Sequence, residues 1–356
     1  MCAEWVGTIQ MKLRYGHAGL ASVAACVILV ALSFLTASRT SAQDGILNSE
    51  IEITAKARLF PDVGAGIKAM KRDAAGRYYF LSTLDHAVRI YAADNTYLGQ
   101  IPKNDQGPAG ITYGEDFAVG ASGRLYVADQ GANAIKVYTP EGSLALSIPV
   151  TTPIAVVALS SGSIAASSMG SARLVTIYDK NGKDIREFGE FSDLADHEQL
   201  NRLLNIGRLA ADSANHIYYA FTYLPEPTVR KYDAFGYASY EISLATIDTY
   251  PSAQAMRRDI ARLDAQDTPP ILPKIINAIG VDPATQEVWL ALGDELMKFD
   301  KDGNRSEEYR TLLPGGEDLN PTAILIEPHR ILLADDPHGV FEFARPDLPP
   351  VPAPKK

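Results

Sequence analysis

Six copies of one strand-forming unit run through this chain of 356 residues, and this repeat restricts the fold more than any other feature. Each copy has a glycine-type turn, a short apolar strand, a polar loop, a second strand that ends in an aromatic residue, and often an Asp-x-x-Gly turn. The clearest copy runs from Gly123 to Asp129 and from Ile135 to Gly142. The closing aromatic residues are Tyr91, Tyr138, Tyr178, Tyr232, Phe299 and Phe343. Their gaps are 47, 40, 54, 67 and 44 residues. Blades of β-propellers repeat about every 40–45 residues, so three gaps fit this period and two contain insertions.

One apolar strand also precedes the two strands of each copy, and another follows them. In the clearest copy these are Phe117–Val119 and Leu144–Ile148. Four short antiparallel strands form one propeller blade, and a lone blade cannot bury both of its faces. The sequence therefore predicts an all-β, six-bladed propeller over residues 43–345. The predicted blades are about 67–103, 109–150, 151–191, 204–244, 276–312 and 320–345.

The last unit lacks a fourth strand, because Pro346, Pro349 and Pro350 follow it and proline supplies no ladder donor. Residues 50–59 alternate with period two, as a half-buried strand does. We expect this N-terminal segment to close the ring as the missing strand. Residues 346–356 are then a proline-rich tail.

The stretch Gly-Arg-Leu-Tyr-Val-Ala-Asp at residues 123–129 resembles the repeat of the NHL and TolB-like six-bladed propeller superfamily. The resemblance covers residues 50–345, with looser matches in the third, fifth and sixth blades. That superfamily includes carbohydrate, peptide and RNA binders, lactonases and an amidating lyase. The resemblance therefore implies the fold and no particular activity.

Residues 1–42 have the features of a secretory signal peptide, with Met11 as an alternative start. Lys12 and Arg14 precede an uncharged apolar run from Ala21 to Leu35. The small residues Thr40, Ser41 and Ala42 are typical of a signal-peptide cleavage site. The run is shorter than the roughly 20 residues that cross a bilayer, so we expect cleavage before Gln43 and no stable membrane insertion afterwards. A retained anchor is the alternative. The prediction is export to the periplasm or the extracellular space.

Both cysteines, Cys2 and Cys26, fall in this segment, so the mature domain is expected to contain no disulfide. Residues 1–42 hold three basic residues and one acid; their removal changes the net charge from −10 to −12. Such a charge repels nucleic acid and anionic lipid surfaces, and neither is an expected partner. A monomer is expected.

Two long insertions, 189–205 and 245–275, follow fourth strands and are expected on the same rim of the ring. Leu200, Leu203 and Leu204 share one helix face, as do Met256, Ile260 and Leu263. Each insertion is therefore predicted to contain a short helix. The two helices are either a lid or docking platform at the channel, or caps over exposed core.

Polar residues in the loops of the same rim are the candidate ligand-binding groups. They are Asp85, His86, Asp129, Gln130, Asn133, Tyr223, Glu226, Asp294, Asp335 and His338. Converging carboxylates bind Ca²⁺, and Asp129, Asp294 and Asp335 are the candidate ligands. Asp129 and Asp335, however, each follow an alanine at one repeat position, which favours a structural role as acceptors of backbone amides.

Catalytic motifs do not select an activity. The chain has no Gly-x-Ser-x-Gly elbow and no His-Glu-x-x-His motif, and its histidines are scattered. The leading prediction is a non-catalytic binding or scaffolding propeller that presents a lidded rim to a protein, peptide or glycan, with no cofactor. The alternative is a Ca²⁺-dependent, lactonase-like hydrolase or a lyase with its site at the channel mouth. A purely structural propeller is a third possibility.

Overall fold

The computed structural model describes residues 51–103, 107–244, 251–265 and 272–349. The predicted signal segment 1–42, its alternative start Met11 and the tail residues 350–356 lie outside this part. No described helix is long and apolar enough to cross a membrane.

In the described residues, twenty-five strands form six sheets arranged as blades, which confirms the six-bladed propeller. Two N-terminal strands come first, β1 (Ile51–Thr54) and β2 (Ala57–Leu59). Blade one contains β3 (Ile67–Arg72), β4 (Tyr78–Ser82), β5 (Val88–Tyr91) and β6 (Tyr97–Ile101). Blade two contains β7 (Gly114–Val119), β8 (Leu125–Asp129), β9 (Ala134–Tyr138) and β10 (Leu144–Pro149). Blade three contains β11 (Pro153–Ala158), β12 (Ile164–Ser168), β13 (Val175–Tyr178) and β14 (Asp184–Phe188).

The remaining blades follow the same order. Blade four contains β15 (Gly207–Ala211), β16 (Ile217–Phe221), β17 (Thr228–Tyr232) and β18 (Ala238–Ser243). Blade five contains β19 (Ala278–Val281), β20 (Val288–Leu292), β21 (Glu295–Phe299) and β22 (Arg305–Leu312). Blade six contains β23 (Pro321–Ile326), β24 (Arg330–Asp335) and β25 (Gly339–Ala344). The helices α1 (Glu198–Leu204) and α2 (Pro251–Asp264) lie in the two long insertions, as predicted.

Burial along each blade follows from its position between two neighbours. Second strands such as β4, β8, β16 and β20 are buried at every residue, because both faces of the sheet pack against adjacent blades. The outermost strand β14 is exposed along most of its length. The aromatic residue that ends each third strand is buried in all six blades. The repeated aromatic residues are therefore inter-blade core.

The Asp-x-x-Gly segments are hairpin turns. At Asp179, Asp233 and Asp300 the carboxylate accepts backbone amides two and four residues later, at 2.8–2.9 Å. Gly182 and Gly236 have φ near 82° and 87°, a left-handed conformation that favours glycine. These carboxylates are thus engaged by their own turns.

Ring closure differs from the prediction of one continuous strand over 50–59. Only β2 completes blade six, where Ala57 to Leu59 pairs antiparallel with β25. β1 instead pairs in parallel with β22, as a fifth strand of blade five. The amide of Ala55 donates to the carbonyl of Leu312, and that of Lys56 donates to Glu342. The segment passes from one blade to the next at this point, because the outer edges of both blades offer unpaired backbone groups.

The C-terminal chain beyond β25 folds back onto the ring. Arg345 lies 2.5 Å from the carboxylate of Asp282 in blade five and 2.7 Å from that of Asp347. Lys298 lies 3.1 Å from Asp347. The beginning of the predicted tail is therefore a structural element that ties blade six to blade five.

Candidate functional site

The two helical insertions project from the rim where inner strands begin and where second strands lead into third strands. Leu200 and Leu204 of α1 pack against Met256 of α2, and all three are buried. The carboxylate of Asp264, at the end of α2, accepts the backbone amides of Asp196 and His197 at 3.1 and 2.9 Å. The amide of His197 and that of Asp196 lower the pKa of Asp264. The two helices thus form one packed unit, which we call the lid.

The lid is attached to the ring by arginine side chains. Arg202 of α1 donates to the carbonyls of Met169 and Ser171 in a loop of blade three, at 3.2 and 3.0 Å. Arg257 of α2 pairs with Glu226 of blade four at 2.8 Å. These polar contacts fix the two helices to the loops of blades three and four on this rim.

A cavity of about 670 Å³ opens at this rim. Its wall includes Leu203 of α1, Ile206 directly after the first insertion, and Tyr223 from blade four. Each blade also contributes one residue from the start of its inner strand, at the second position in five blades and directly before the first position in blade five. This ring of six consists of Lys68, Glu115, Ile154, Arg208, Asn277 and Thr322.

β-Bulges direct four of these ring residues. The register with the second strand shifts between Ile67 and Ala69, so that Lys68 has no direct partner in β4. The same shift occurs at Glu115, Ile154 and Thr322 in blades two, three and six. A bulge places an extra residue in one strand and reorients its side chain, and bulges are frequent next to functional sites. In these four blades the repeated bulge lies at the residue that lines the cavity.

Charged groups dominate part of this ring. The ammonium of Lys68 lies 2.6 Å from one carboxylate oxygen of Glu115, and the guanidinium of Arg208 lies 3.1 Å from the other. Lys68 also lies 3.7 Å from the centre of the Tyr113 ring. Lys274 is a further cation in the cavity wall. Desolvation by the surrounding wall lowers the pKa of Lys274, and the positive charges of Arg208 and Lys68 lower it further, against the opposing effect of Glu115.

Below the ring the channel narrows to a space of about 40 Å³. Asp116 lies here; it accepts the amide of Val156 at 3.0 Å, and Lys71 is 3.9 Å away. The channel widens again at the opposite rim into a space of about 490 Å³, whose wall contains Lys71, Arg72, Asp73 and Glu327 together with apolar residues.

Two of the ten predicted site residues, Gln130 and Tyr223, line the cavity. Burial raises the pKa of Tyr223. The others have partners elsewhere on the rim. Asp85 pairs with Arg89 at 2.8 Å, the ring of His86 contacts the carbonyl of Ile111 at 2.9 Å, and Asn133 accepts the amide of Thr152 at 2.9 Å.

Asp129 and Asp335 both point inward to backbone amides, which confirms their structural interpretation. Asp129 accepts the amides of Thr112 and Tyr113 at 2.9 Å and lies 2.9 Å from Lys136. Burial raises the pKa of Asp129, but these amides and Lys136 outweigh it, so the pKa is lowered. Asp335 accepts the amide of Asn320 at 2.7 Å and contacts His338 at 2.6 Å.

Asp294, the third carboxylate of the calcium hypothesis, lies in blade five and faces Arg310 at 3.4 Å. In the described part of the chain, no group of three or more His, Cys, Asp or Glu side chains is placed to hold a metal ion. The structure therefore does not bring Asp129, Asp294 and Asp335 together.

The cavity charges Lys68, Glu115, Arg208 and Lys274 were not among the predicted site residues, because the prediction considered the loops. The sequence does contain a signal for three of them. In Ile67-Lys68-Ala69, Gly114-Glu115-Asp116 and Gly207-Arg208-Leu209, a charge stands at the second position of an inner strand that is largely buried. Charged side chains are rarely buried without a partner, so such a position indicates a polar channel.

No protein-family model and no curated protein sequence matches this chain. Solved propeller structures are similar to it. Virginiamycin B lyase from Staphylococcus aureus has 13% identity and a TM-score of 0.50, with 82% of this chain and 87% of that chain covered. A streptogramin B lyase structure has 12% identity and a TM-score of 0.51, with 79% and 93% covered. The RRP9 WD40 repeats have 10% identity and a TM-score of 0.55, with 83% and 99% covered. These similarities support the six-bladed propeller fold, with structural neighbours among the lyases and WD40 proteins, and the narrower NHL and TolB-like assignment stays a prediction.

Proposed function

We propose that this chain is an exported, non-catalytic binding propeller that receives its ligand in the lidded cavity. The observation that carries the proposal is the ring of six side chains, one per blade, turned into a cavity of about 670 Å³. Ligand sites in proteins are concave spaces of about 300–1,000 Å³ with a few placed polar groups. A small molecule, or one residue of a peptide or glycan, fits this volume.

The lid supports this function over a purely structural one. A cap over exposed core needs only apolar contact, whereas α1 and α2 make directed hydrogen bonds and ion pairs to blades three and four. Leu203 of α1 also lines the cavity. This arrangement favours a pocket with a defined entrance.

The hypothesis of a calcium-dependent hydrolase or lyase has less support. It relied on Asp129, Asp294 and Asp335 as ligands, and each of these carboxylates has a partner within the protein. We therefore place the site in the cavity and assign no catalytic residue.

A cavity-filling substitution tests the proposal. Gln130 is a half-buried residue of the cavity wall, and Gln130→Trp adds an indole to that space. Its matched control, Lys183→Trp, adds the same ring to an exposed turn of the opposite rim. A fragment library that contains neutral, cationic and anionic compounds is screened by ligand-observed NMR. We expect some fragments to bind the wild type and the control but not the Gln130→Trp variant. If every fragment that binds the wild type also binds Gln130→Trp, the proposal is wrong.

A further inference from the structure

The cavity wall carries a charge opposite to that of the whole chain. Its ionisable lining contains the cations Lys68, Arg208 and Lys274 and the carboxylates Glu115 and Asp336. Among the lining residues that the structure describes, one positive charge is therefore in excess, although the chain has a net charge of −10. In an acidic protein, a concave site of local positive charge attracts anions and repels cations.

Both carboxylates of the wall already have partners. Glu115 is shared by Lys68 at 2.6 Å and Arg208 at 3.1 Å, and the backbone carbonyl of Glu115 accepts a second Arg208 bond at 3.2 Å. Asp336 accepts the amide of Gly66 at 3.1 Å. Neither carboxylate therefore neutralises Lys274 directly.

Lys274 has no hydrogen-bond or ion-pair partner within residues 51–349 as far as these are described. Desolvation and the repulsion from Arg208 and Lys68 lower the pKa of its ammonium group. An arriving anion would relieve this repulsion, because an opposite charge within about 4–6 Å favours the charged form of an amine.

We propose that the cavity binds an organic oxyanion, a carboxylate or a phosphate, which contacts Lys274 and the guanidinium of Arg208. This inference rests on the proposed function and names the chemical class of its ligand. Apolar wall residues Ile154, Leu203 and Ile206 contact the body of the same molecule. Charge-assisted hydrogen bonds from arginine and lysine to carboxylate or phosphate are short and roughly twice as strong as neutral ones.

Two pairs of probes separate charge from shape. Benzoate is compared with benzamide, and phenyl phosphate with phenol, by NMR titration of the intact protein. We expect the anion of at least one pair to bind and its neutral partner to bind about tenfold more weakly or not at all. The pair that responds distinguishes a carboxylate ligand from a phosphate ligand.

Three variants test the assigned residues. Lys274→Met removes the ammonium group from the cavity wall and is expected to weaken binding of the anionic probe by roughly 10- to 100-fold. Lys183→Met removes the same charge at the opposite rim and is expected to leave affinity unchanged. Glu115→Gln releases Arg208 and Lys68 from their carboxylate and is expected to strengthen binding about three- to tenfold, a gain that a damaged fold would not produce.

The outcomes separate the two proposals. Anion binding that requires Lys274 and rises in Glu115→Gln supports the oxyanion site. Neutral probes that bind as well as the anions, and are excluded by Gln130→Trp, would overturn the oxyanion inference while the binding function stands. Anion binding that Lys274→Met leaves unchanged would also overturn it. If Gln130→Trp abolishes the binding of none of these probes and of no fragment, both proposals are wrong.

Discussion

The guanidinium of Arg345 lies 2.5 Å from the carboxylate of Asp282, although the two residues are 63 positions apart. Arg345 follows the last strand of blade six, and Asp282 follows the inner strand of blade five. Asp347 accepts from Arg345 and Lys298, and the Arg345 and Lys298 cations lie 5.7 and 5.6 Å from the Trp289 ring centre. This charged group joins the end of the described chain to the interface between the last two blades.

The first prediction concerns the acid stability of this group. Burial raises the pKa of Asp347, but Arg345 and Lys298 outweigh it and lower the pKa to about 2. An aspartate in the unfolded chain has a pKa of about 3.9. The carboxylate therefore stabilises the fold above about pH 4, and this contribution is lost as the pH falls towards 2.

Asp347→Asn is expected to lower the free energy of unfolding at pH 7 by about 1–3 kcal/mol, with a difference from wild type that shrinks between about pH 5 and pH 2. Urea unfolding at a series of pH values measures this difference. Asp302→Asn, which removes an exposed carboxylate, is the control and should cost less than about 1 kcal/mol. A pH-independent difference for Asp347→Asn would contradict the prediction.

The second prediction separates the two N-terminal strands. A chain that begins at Ala55 lacks β1, whereas one that begins at Phe60 also lacks β2. Loss of β1 removes only an added fifth strand of blade five and is expected to lower the free energy of unfolding by about 1–3 kcal/mol. Loss of β2 leaves β25 as an open edge and breaks the ring, so a much larger fall in melting temperature is expected. Equal melting temperatures of the two truncated chains would refute this difference.

The third prediction distinguishes a structural from a calcium-binding role of Asp129. Its side chain and that of Lys136 are both almost fully buried. Asp129→Asn leaves a buried ammonium group without its counter-ion and is expected to cost about 3–5 kcal/mol in urea unfolding. Asp294→Asn is expected to cost less than about 1 kcal/mol, because Asp294 is much more exposed. A Ca²⁺-binding isotherm that both substitutions abolish would instead support a shared metal site.

The fourth prediction concerns the lid. Met256 is buried between the two helices, so Met256→Asp places a carboxylate in an apolar contact and is expected to detach α2. Trypsin cleavage at Arg257, Arg258 or Arg262 should accelerate about tenfold or more, because local opening governs proteolysis. The melting temperature of the ring should change little. Ala261→Asp, on the exposed face of the same helix, is the control, and equal cleavage of both variants would contradict the prediction.

The fifth prediction concerns the exported form. Cleavage before Gln43 removes both cysteines, Cys2 and Cys26. Protein recovered from the exported fraction is expected to show an intact mass that begins near Gln43 and no titratable thiol. A chain that keeps Cys26 and stays with the membrane fraction would favour the retained-anchor alternative.

Part of the candidate site could be predicted from local sequence patterns, and part could not. Gln130 and Tyr223 were identified because they lie in rim loops, and loop positions can be assigned once the blades are counted. Arg208 and Lys274 were not identified, because their approach to Lys68 and Glu115 depends on the arrangement of three blades and the second insertion. The wide separation of these residues along the chain leaves no local spacing that indicates their approach.

The sequence by itself determined the number of blades, the Asp-x-x-Gly turns and the two helical insertions. Each of these depends on interactions within a few residues, such as strand alternation, helix periodicity or a glycine at positive φ. Only the tertiary structure decided that residues 51–59 divide between two blades and that one side chain per blade turns into the lidded cavity. Strand pairing across the ring and the β-bulges set these directions, and both result from packing between residues far apart in the chain.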